Sequence, residues 1–122
     1  MIEAFIPYMG PSLNSIYSGV HWNERKKQAD FGHIACKAAI RKAGIKPFDY
    51  PVRLTFIPVL GKKARARDCS NYSYAAKIIE DGLVKCGVLQ DDSPKYVKSF
   101  SISEPVVDRE SPSGFKIIIE RA

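Results

Sequence analysis

Apolar and polar residues repeat along this chain with two different periods, and the switches between them mark its elements. Ile2 to Ile6 is a short apolar run closed by Pro7, which predicts a first strand. Val52, Leu54 and Phe56 point one way, and Arg53 and Thr55 the other. That period of two predicts a strand from Val52 to Val59, with Pro58 ending it or marking an edge. Two other segments repeat at helical spacing. Phe31, Ile34, Ala35, Ala38 and Ala39 line one face of a helix from about Asn23 to Lys42, with Gly44 as its stop and Pro47 beyond. Tyr72, Ala75, Ala76, Ile79, Leu83 and Cys86 form the stripe of a second helix, from about Asn71 to Cys86. Lys77, Glu80, Asp81 and Lys85 fall mostly on its other side, and Gly87 stops it. Turn formers from Gly10 to Gly19 predict a loop, and Gln90 to Pro94 a turn. Strands from Tyr96 to Ser103 and from Phe115 to Glu120 close the chain, joined by a loop with Pro105, Pro112 and Gly114. The order β-α-β-α-β-β predicts an α+β fold, a small mixed sheet covered by two helices.

Length and composition add limits. The 122 residues make one domain, 1–122, and 45% apolar with 26% charged residues is ordinary for a globular chain. No apolar run approaches the ~20 residues of a membrane span. The N-terminus carries Glu3 where a targeting signal takes basic residues, so it is read as a strand. Cys36, Cys69 and Cys86 have no metal-ligand spacing, and an odd number fits a reducing cytoplasm. Cys36 and Cys86 fall on apolar helical faces; Cys69 is a candidate for exposure. The net charge of +6 favours a polyanionic partner. Its cations cluster at Arg25-Lys26-Lys27, Lys37-Arg41-Lys42 and Lys62-Lys63-Arg65-Arg67, although each cluster alone is as readily a solvated surface. There is no P-loop, zinc spacing or Ser-His-Asp order.

The candidate chemistry lies around the second helix. Asp68-Cys69-Ser70-Asn71 precedes it, Lys77 rides on it, and Asp91-Asp92 follows it. The run Lys62 to Arg67 leads straight into Asp68. Carboxylates beside cations can hold Mg²⁺ against a phosphate backbone. Plainer readings stand beside that one. Asp68, Ser70 and Asn71 are helix-capping types, Asp91-Asp92 suits a polar turn, and Lys77 can pair with Glu80 or Asp81 one turn on. Two adjacent acids near a helix C-terminus repel each other unless a cation or solvent offsets them. His33 reads as structural and His21 as packing beside Trp22. Tyr8, Tyr17 and Trp22 could stack on unpaired bases or serve a core or interface.

The run Arg67-Asp68-Cys69-Ser70-Asn71-Tyr72, then Lys77, Asp81-Gly82-Leu83 and Gly87-Val88-Leu89-Gln90-Asp91-Asp92-Ser93-Pro94, resembles the RusA family of small phage and prophage Holliday junction resolvases. Pro11-Ser12-Leu13-Asn14 and the stretch from Tyr17 to Trp22 are similar to the family's opening loop, so the resemblance runs from about residue 2 to residue 119. It implies a homodimeric endonuclease, dependent on Mg²⁺ with Mn²⁺ able to substitute. Such an enzyme resolves four-way junction DNA by paired nicks during recombination and repair, in the cytoplasm of a bacterial or phage-infected cell. On the resemblance, Asp68 and Asp92 match metal ligands, Asp91 is their acidic neighbour and Lys77 matches the catalytic lysine. Lys62, Lys63, Arg65, Arg67 and Asn71 would hold DNA. Ser70 departs from the pattern, because the family carries a second metal-binding aspartate there. A hydroxyl is a weaker, neutral ligand, direct or through water. The expectation is therefore an active resolvase with an altered metal site. The alternatives are a junction-binding protein that has lost most cleavage, and a general nucleic-acid-binding domain whose acids are caps and turns.

Overall fold

The period-two segment becomes the central strand of a five-stranded mixed sheet. In the computed structural model, which describes residues 1–19 and 21–122, the elements are β1 (Ile2–Ile6), α1 (Leu13–Tyr17), α2 (Trp22–Ala43), β2 (Val52–Leu60), a 3₁₀ turn (Cys69–Tyr72), α3 (Ser73–Lys85), β3 (Val97–Ile102), β4 (Val106–Val107) and β5 (Gly114–Arg121). The sheet order is β1-β5-β2-β3, and β4 pairs β2 beyond the end of β3. β5 runs antiparallel to both β1 and β2, whereas β3 and β4 run parallel to β2. A parallel pair needs a crossover, and here the crossover from β2 to β3 is the 3₁₀ turn and α3. This is the α+β architecture that the sequence predicts, with a third helix and a fifth strand added.

The added helix, α1, lies in the segment expected to be a loop. Ser12 caps it, accepting the Ser15 N–H at 3.2 Å, and Ile16 is its buried residue. The turn formers there are cap residues of a short helix, a use that composition alone does not separate from a loop.

Pro58 neither ends β2 nor sits on an outer edge. It is buried and pairs with Phe115 in the middle of the sheet. The Ser103 N–H bonds the Phe56 carbonyl and the Asp108 N–H bonds the Leu60 carbonyl, so even-numbered residues of β2 direct their backbone groups to the β3–β4 side. Pairing with β3 ends at Phe56 and pairing with β4 starts at Val59. The missing N–H of Pro58 therefore faces the gap between those strands, where no acceptor waits for it.

Val52, Leu54 and Phe56 of β2, with Phe115, Ile117 and Ile119 of β5 and Ala4 and Ile6 of β1, form the floor of the core. Arg53, Thr55, Ile57, Lys116, Ile118 and Glu120 lie on the opposite face and are exposed or half-buried. α3 supplies the apolar stripe foreseen for it, with Tyr72, Ala75, Ala76, Ile79 and Leu83 buried. α2 is rotated from the expected orientation. It buries Gly32, Cys36 and Ile40, while Phe31 is 60% and Ile34 67% exposed. The crossing of the two helices explains the rotation. A Cβ on Gly32 would stand 2.3 Å from Ile78 Cγ2, and one on Gly82 2.9 Å from Cys36 Cβ. Glycine on each helix lets the backbones approach closely. Packing of that narrow small-residue face excludes Phe31 and Ile34 from the interface. Gly44 ends α2 in the left-handed region at φ 68°, as its position predicts. Among the described residues, no helix is long and apolar enough to cross a membrane.

A Cβ at Gly114 would lie 2.1 Å from the Ile6 carbonyl oxygen, a backbone atom that cannot rotate away. Gly114→Ala is expected to cost about 1–3 kcal/mol by overpacking, read as a lower urea midpoint. An unchanged midpoint would mean that the β1–β5 pairing gives way freely.

Candidate metal centre

α3 carries two exposed lysines, Lys77 and Lys85, and three carboxylates meet the first of them. Lys77 Nζ lies 2.8 Å from Glu80 Oε1, 3.1 Å from Asp81 Oδ1 and 2.6 Å from Asp92 Oδ2. Glu80 and Asp81 are three and four residues further along the helix and so share its face. Asp92 arrives from the segment that follows α3. Val88 and Leu89 are buried and both donate their N–H groups to the Leu83 carbonyl, which turns the chain back along the helix. The Tyr96 and Val97 N–H groups bond the Ser93 carbonyl, closing the turn that holds Asp92 and starting β3. Oxygens of Glu80, Asp81 and Asp92 all lie within 4.8 Å of one another and could hold a metal ion. Carboxylate oxygens are the hard ligands that Mg²⁺, Mn²⁺ and Ca²⁺ favour.

Glu80 is the residue whose position the sequence does not reveal. Its helical position places it among the outward polar residues, yet it is 5% exposed. Lys77 donates to it, and Asp92 from the returning segment lies in the same group. Beside the cluster is a cleft of about 510 Å³, lined by Ser73, Lys77, Glu80 and Asp92 from one side and by Lys98 and Phe100 from β3 on the other. The acidic cluster and two lysines, Lys77 and Lys98, thus share one open cleft.

The electrostatics follow from the contacts. Burial pulls the Lys77 ammonium towards a lower pKa, but its hydrogen bonds to Asp92, Glu80 and Asp81 outweigh that and raise it above the ordinary lysine value. Lys77 also holds the Asp92 carboxyl below its usual range, by hydrogen bond and then by charge. The stability contributed by Asp92 is complete above about pH 4 and is lost as pH falls through its depressed value. The contribution of Lys77 is complete below about pH 10 and is lost as pH rises further.

The other candidates are distributed around this centre. Asp68 and Asp91 are exposed and outside the group of three. Asp68 flanks the 3₁₀ turn, where its carbonyl accepts the Asn71 N–H at 2.9 Å, but its side chain makes no capping bond. Tyr72, at the cap position of α3, makes none either. Ser70 is exposed, and its carbonyl takes the Ser73 hydroxyl at 2.7 Å. Asn71 is half-buried, while Lys62, Lys63 and Arg65 are exposed. Arg67 is turned inward: its Nη2 donates to the Gly10 carbonyl at 2.9 Å and its guanidinium lies over the Tyr72 ring.

Tyr8 is buried, and burial pushes its hydroxyl up to about 12, so it belongs to the core. Tyr17 and Trp22 stay exposed, Trp22 stacking on His21. His33 is lowered by burial and then by Lys85, which suits a neutral structural imidazole. Cys36 is buried, Cys86 half-buried and Cys69 exposed.

A scan against protein-family models finds no match to this chain, and a search of curated proteins finds none either.

Lys77→Ala leaves Glu80 covered without its cation. The variant is expected to lose about 1–3 kcal/mol at neutral pH, measured by urea unfolding. Lys77→Arg, which keeps a cation opposite Glu80, should recover most of the deficit. An Arg variant no more stable than Lys77→Ala would mean that Glu80 does not depend on the charge at position 77.

Proposed function

We propose that this protein is a divalent-metal-dependent endonuclease of the RusA type, acting on four-way DNA junctions as a homodimer. The observation that carries the proposal is the meeting of Lys77 with Glu80, Asp81 and Asp92 at the edge of an open cleft. Asp92 and Lys77 are residues that the family resemblance puts in the reaction, and they lie 2.6 Å apart. Glu80 and Asp81 supply the carboxylates that Ser70 does not. Asp68 adds an exposed acid, unused for capping, at the start of the same crossover.

On this reading Glu80, Asp81 and Asp92 hold Mg²⁺, or Mn²⁺ in its place. Bound there, the ion supplies an activated water and offsets charge on the scissile phosphate. Lys77 has two tasks. Without an ion it neutralises part of the carboxylate charge. Beside a phosphate its ammonium donates to a non-bridging oxygen or to the departing 3′-oxygen, where negative charge grows in the transition state. Lys98, across the cleft, and the exposed cations Lys62, Lys63 and Arg65 attract the DNA backbone without reading its sequence. Arg67 supports this only indirectly, since its guanidinium is used inside the fold.

The homodimer draws support from the outward stripe of α2, where Phe31 and Ile34 lie exposed beside Ala38. Exposed apolar patches on small proteins mark contact surfaces. A two-fold axis there would present two centres to two symmetry-related strands. Function in the cytoplasm of a bacterial or phage-infected cell belongs to the same proposal.

The test is a nicking assay on a synthetic four-way junction with Mg²⁺ or Mn²⁺. Paired nicks are expected, lost by a factor of at least about 100 in Lys77→Ala, as for removal of a transition-state donor, and lost likewise in Asp92→Asn, which removes a carboxylate from the metal group. Wild-type cleavage no greater than that of Asp92→Asn, with preferential junction binding retained, would favour the cleavage-deficient binding protein. Ser70→Asp should raise the rate if the centre lacks charge. An unchanged rate would mean that Glu80 already fills that role. Ile34→Glu is expected to shift the dimer to monomer in light scattering; a wild-type mass that is already monomeric would remove the dimer from the proposal.

A further inference from the structure

Between β2 and the 3₁₀ turn, the chain carries four cations within six residues, Lys62 to Arg67. Such a run would ordinarily be a mobile loop, because like charges repel and no apolar residue anchors it. Here it is held at both ends. At the C-terminal end, Arg67 donates to the Gly10 carbonyl, and the Arg67 N–H donates to the Tyr72 hydroxyl at 3.0 Å. At the N-terminal end, Arg109, from the segment between β4 and β5, reaches across. Its Nη1 donates to the Gly61 carbonyl at 2.6 Å and to the Ala64 carbonyl at 2.8 Å. The Gly61 N–H donates to the Ser113 hydroxyl at 2.9 Å. A Cβ at Gly61 would stand 2.3 Å from the Ser111 carbonyl oxygen, so the two segments are in backbone contact.

Between these anchors the chain makes a tight turn, with the Ala64 N–H on the Gly61 carbonyl at 3.3 Å and Lys63 in the left-handed region at φ 66°. Arg109 bonds the carbonyls at both ends of that turn. Lys62, Lys63 and Arg65 then project into solvent. Although Asp108 and Glu110 flank Arg109 in sequence, no ion pair involves Lys62, Lys63 or Arg65 among the described residues.

We infer that Arg109 is a positioning residue that pre-shapes the Lys62–Lys63–Arg65 turn as a phosphate-backbone docking surface, without touching the nucleic acid itself. The inference rests on the nucleic-acid reading of the function. Lys63, a non-glycine residue in the left-handed region, is held there against its backbone preference, and the paired carbonyl bonds offset that strain. Ordering the turn before binding removes an entropy cost from the encounter.

Positioning and direct contact leave different salt signatures. Affinity for a four-way junction is measured against salt for wild type, Lys63→Ala and Arg109→Ala. Lys63→Ala should lower the slope of log affinity against log salt by about 0.9, the value for one lost phosphate contact. Arg109→Ala should weaken binding about tenfold at every salt concentration with the slope unchanged, since the charges that meet phosphate remain. A slope reduced by Arg109→Ala would make Arg109 a direct contact and overturn the inference, as would unchanged affinity.

Limited trypsin digestion supplies a readout independent of DNA. Arg109→Ala should speed cleavage after Lys62, Lys63 and Arg65 by at least about tenfold at unchanged circular dichroism. Ser113→Ala, which removes the other anchor, should act in the same direction. Equal cleavage rates in all three proteins would overturn the inference while leaving the nuclease reading intact. A wild-type protein that binds no junction DNA would remove the function and the inference together, and trypsin would still show whether the turn is held.

Discussion

The contact between Lys77 and its three carboxylates is the constraint on which the rest of this structure turns. Three acids within 4.8 Å of one another repel strongly, and one of them is buried. Without a cation the arrangement would open or protonate. The Lys77 ammonium satisfies it at distances of 2.6 to 3.1 Å. One positive charge against three negative leaves the centre short of cation by two, which is the charge of one divalent ion. The same contact ties α3 to the segment that returns towards β3. It thus joins the two ends of the crossover and forms one wall of the cleft.

The fold brings these groups together from a modest span of sequence. β2, α3 and β3 form one parallel crossover unit, and Lys77, Glu80, Asp81 and Asp92 all lie within it. Packing below the unit sets the helix orientation. Gly32 and Gly82 bring α2 and α3 into close approach, and Tyr72 stacks edge-on against Phe115 of β5. With its apolar stripe held between α2 and the sheet, α3 has only the Lys77 side left to offer. The basic turn enters the unit from the end of β2, tied to the β4–β5 segment by Arg109 and to the N-terminal segment by Arg67. Cations that look alike in sequence therefore divide into two groups. Arg67 and Arg109 hold the chain, while Lys62, Lys63 and Arg65 face solvent.

Much of the architecture was legible in the sequence because it depends on local periodicity. The alternation along Val52–Phe56 and the stripe from Tyr72 to Leu83 each belong to one element and need no knowledge of the others. The errors arose where a second element decides. Phe31 and Ile34 have helical spacing and large apolar side chains, yet glycines at the crossing favour a different face of α2. Pro58 breaks a strand by its own chemistry, but a gap between β3 and β4 tolerates it. Glu80 reads as surface from α3 alone, yet it is buried and shares its group with Asp92 from the returning segment. For the centre itself, Lys77 and Asp92 were identifiable from the family resemblance. The spacing also names Glu80 and Asp81 as ion-pair partners of that lysine, and both pairs form; what it does not show is that Asp92 joins them in one group of three. Asp68, which the family resemblance also matches to a metal ligand, lies outside the cluster.

The central claim is that this lysine-bridged cluster is a divalent metal centre, and Mn²⁺ binding to the DNA-free protein tests it most directly. Titration followed by the electron paramagnetic resonance of free Mn²⁺ should show one saturable site per chain in the wild type. Affinity should be higher in Lys77→Gln, which removes the competing ammonium, and binding should be lost in Glu80→Gln and Asp92→Asn. No saturable uptake by either the wild type or Lys77→Gln would contradict the account and leave the cluster as a salt-bridged brace for the β2–α3–β3 crossover.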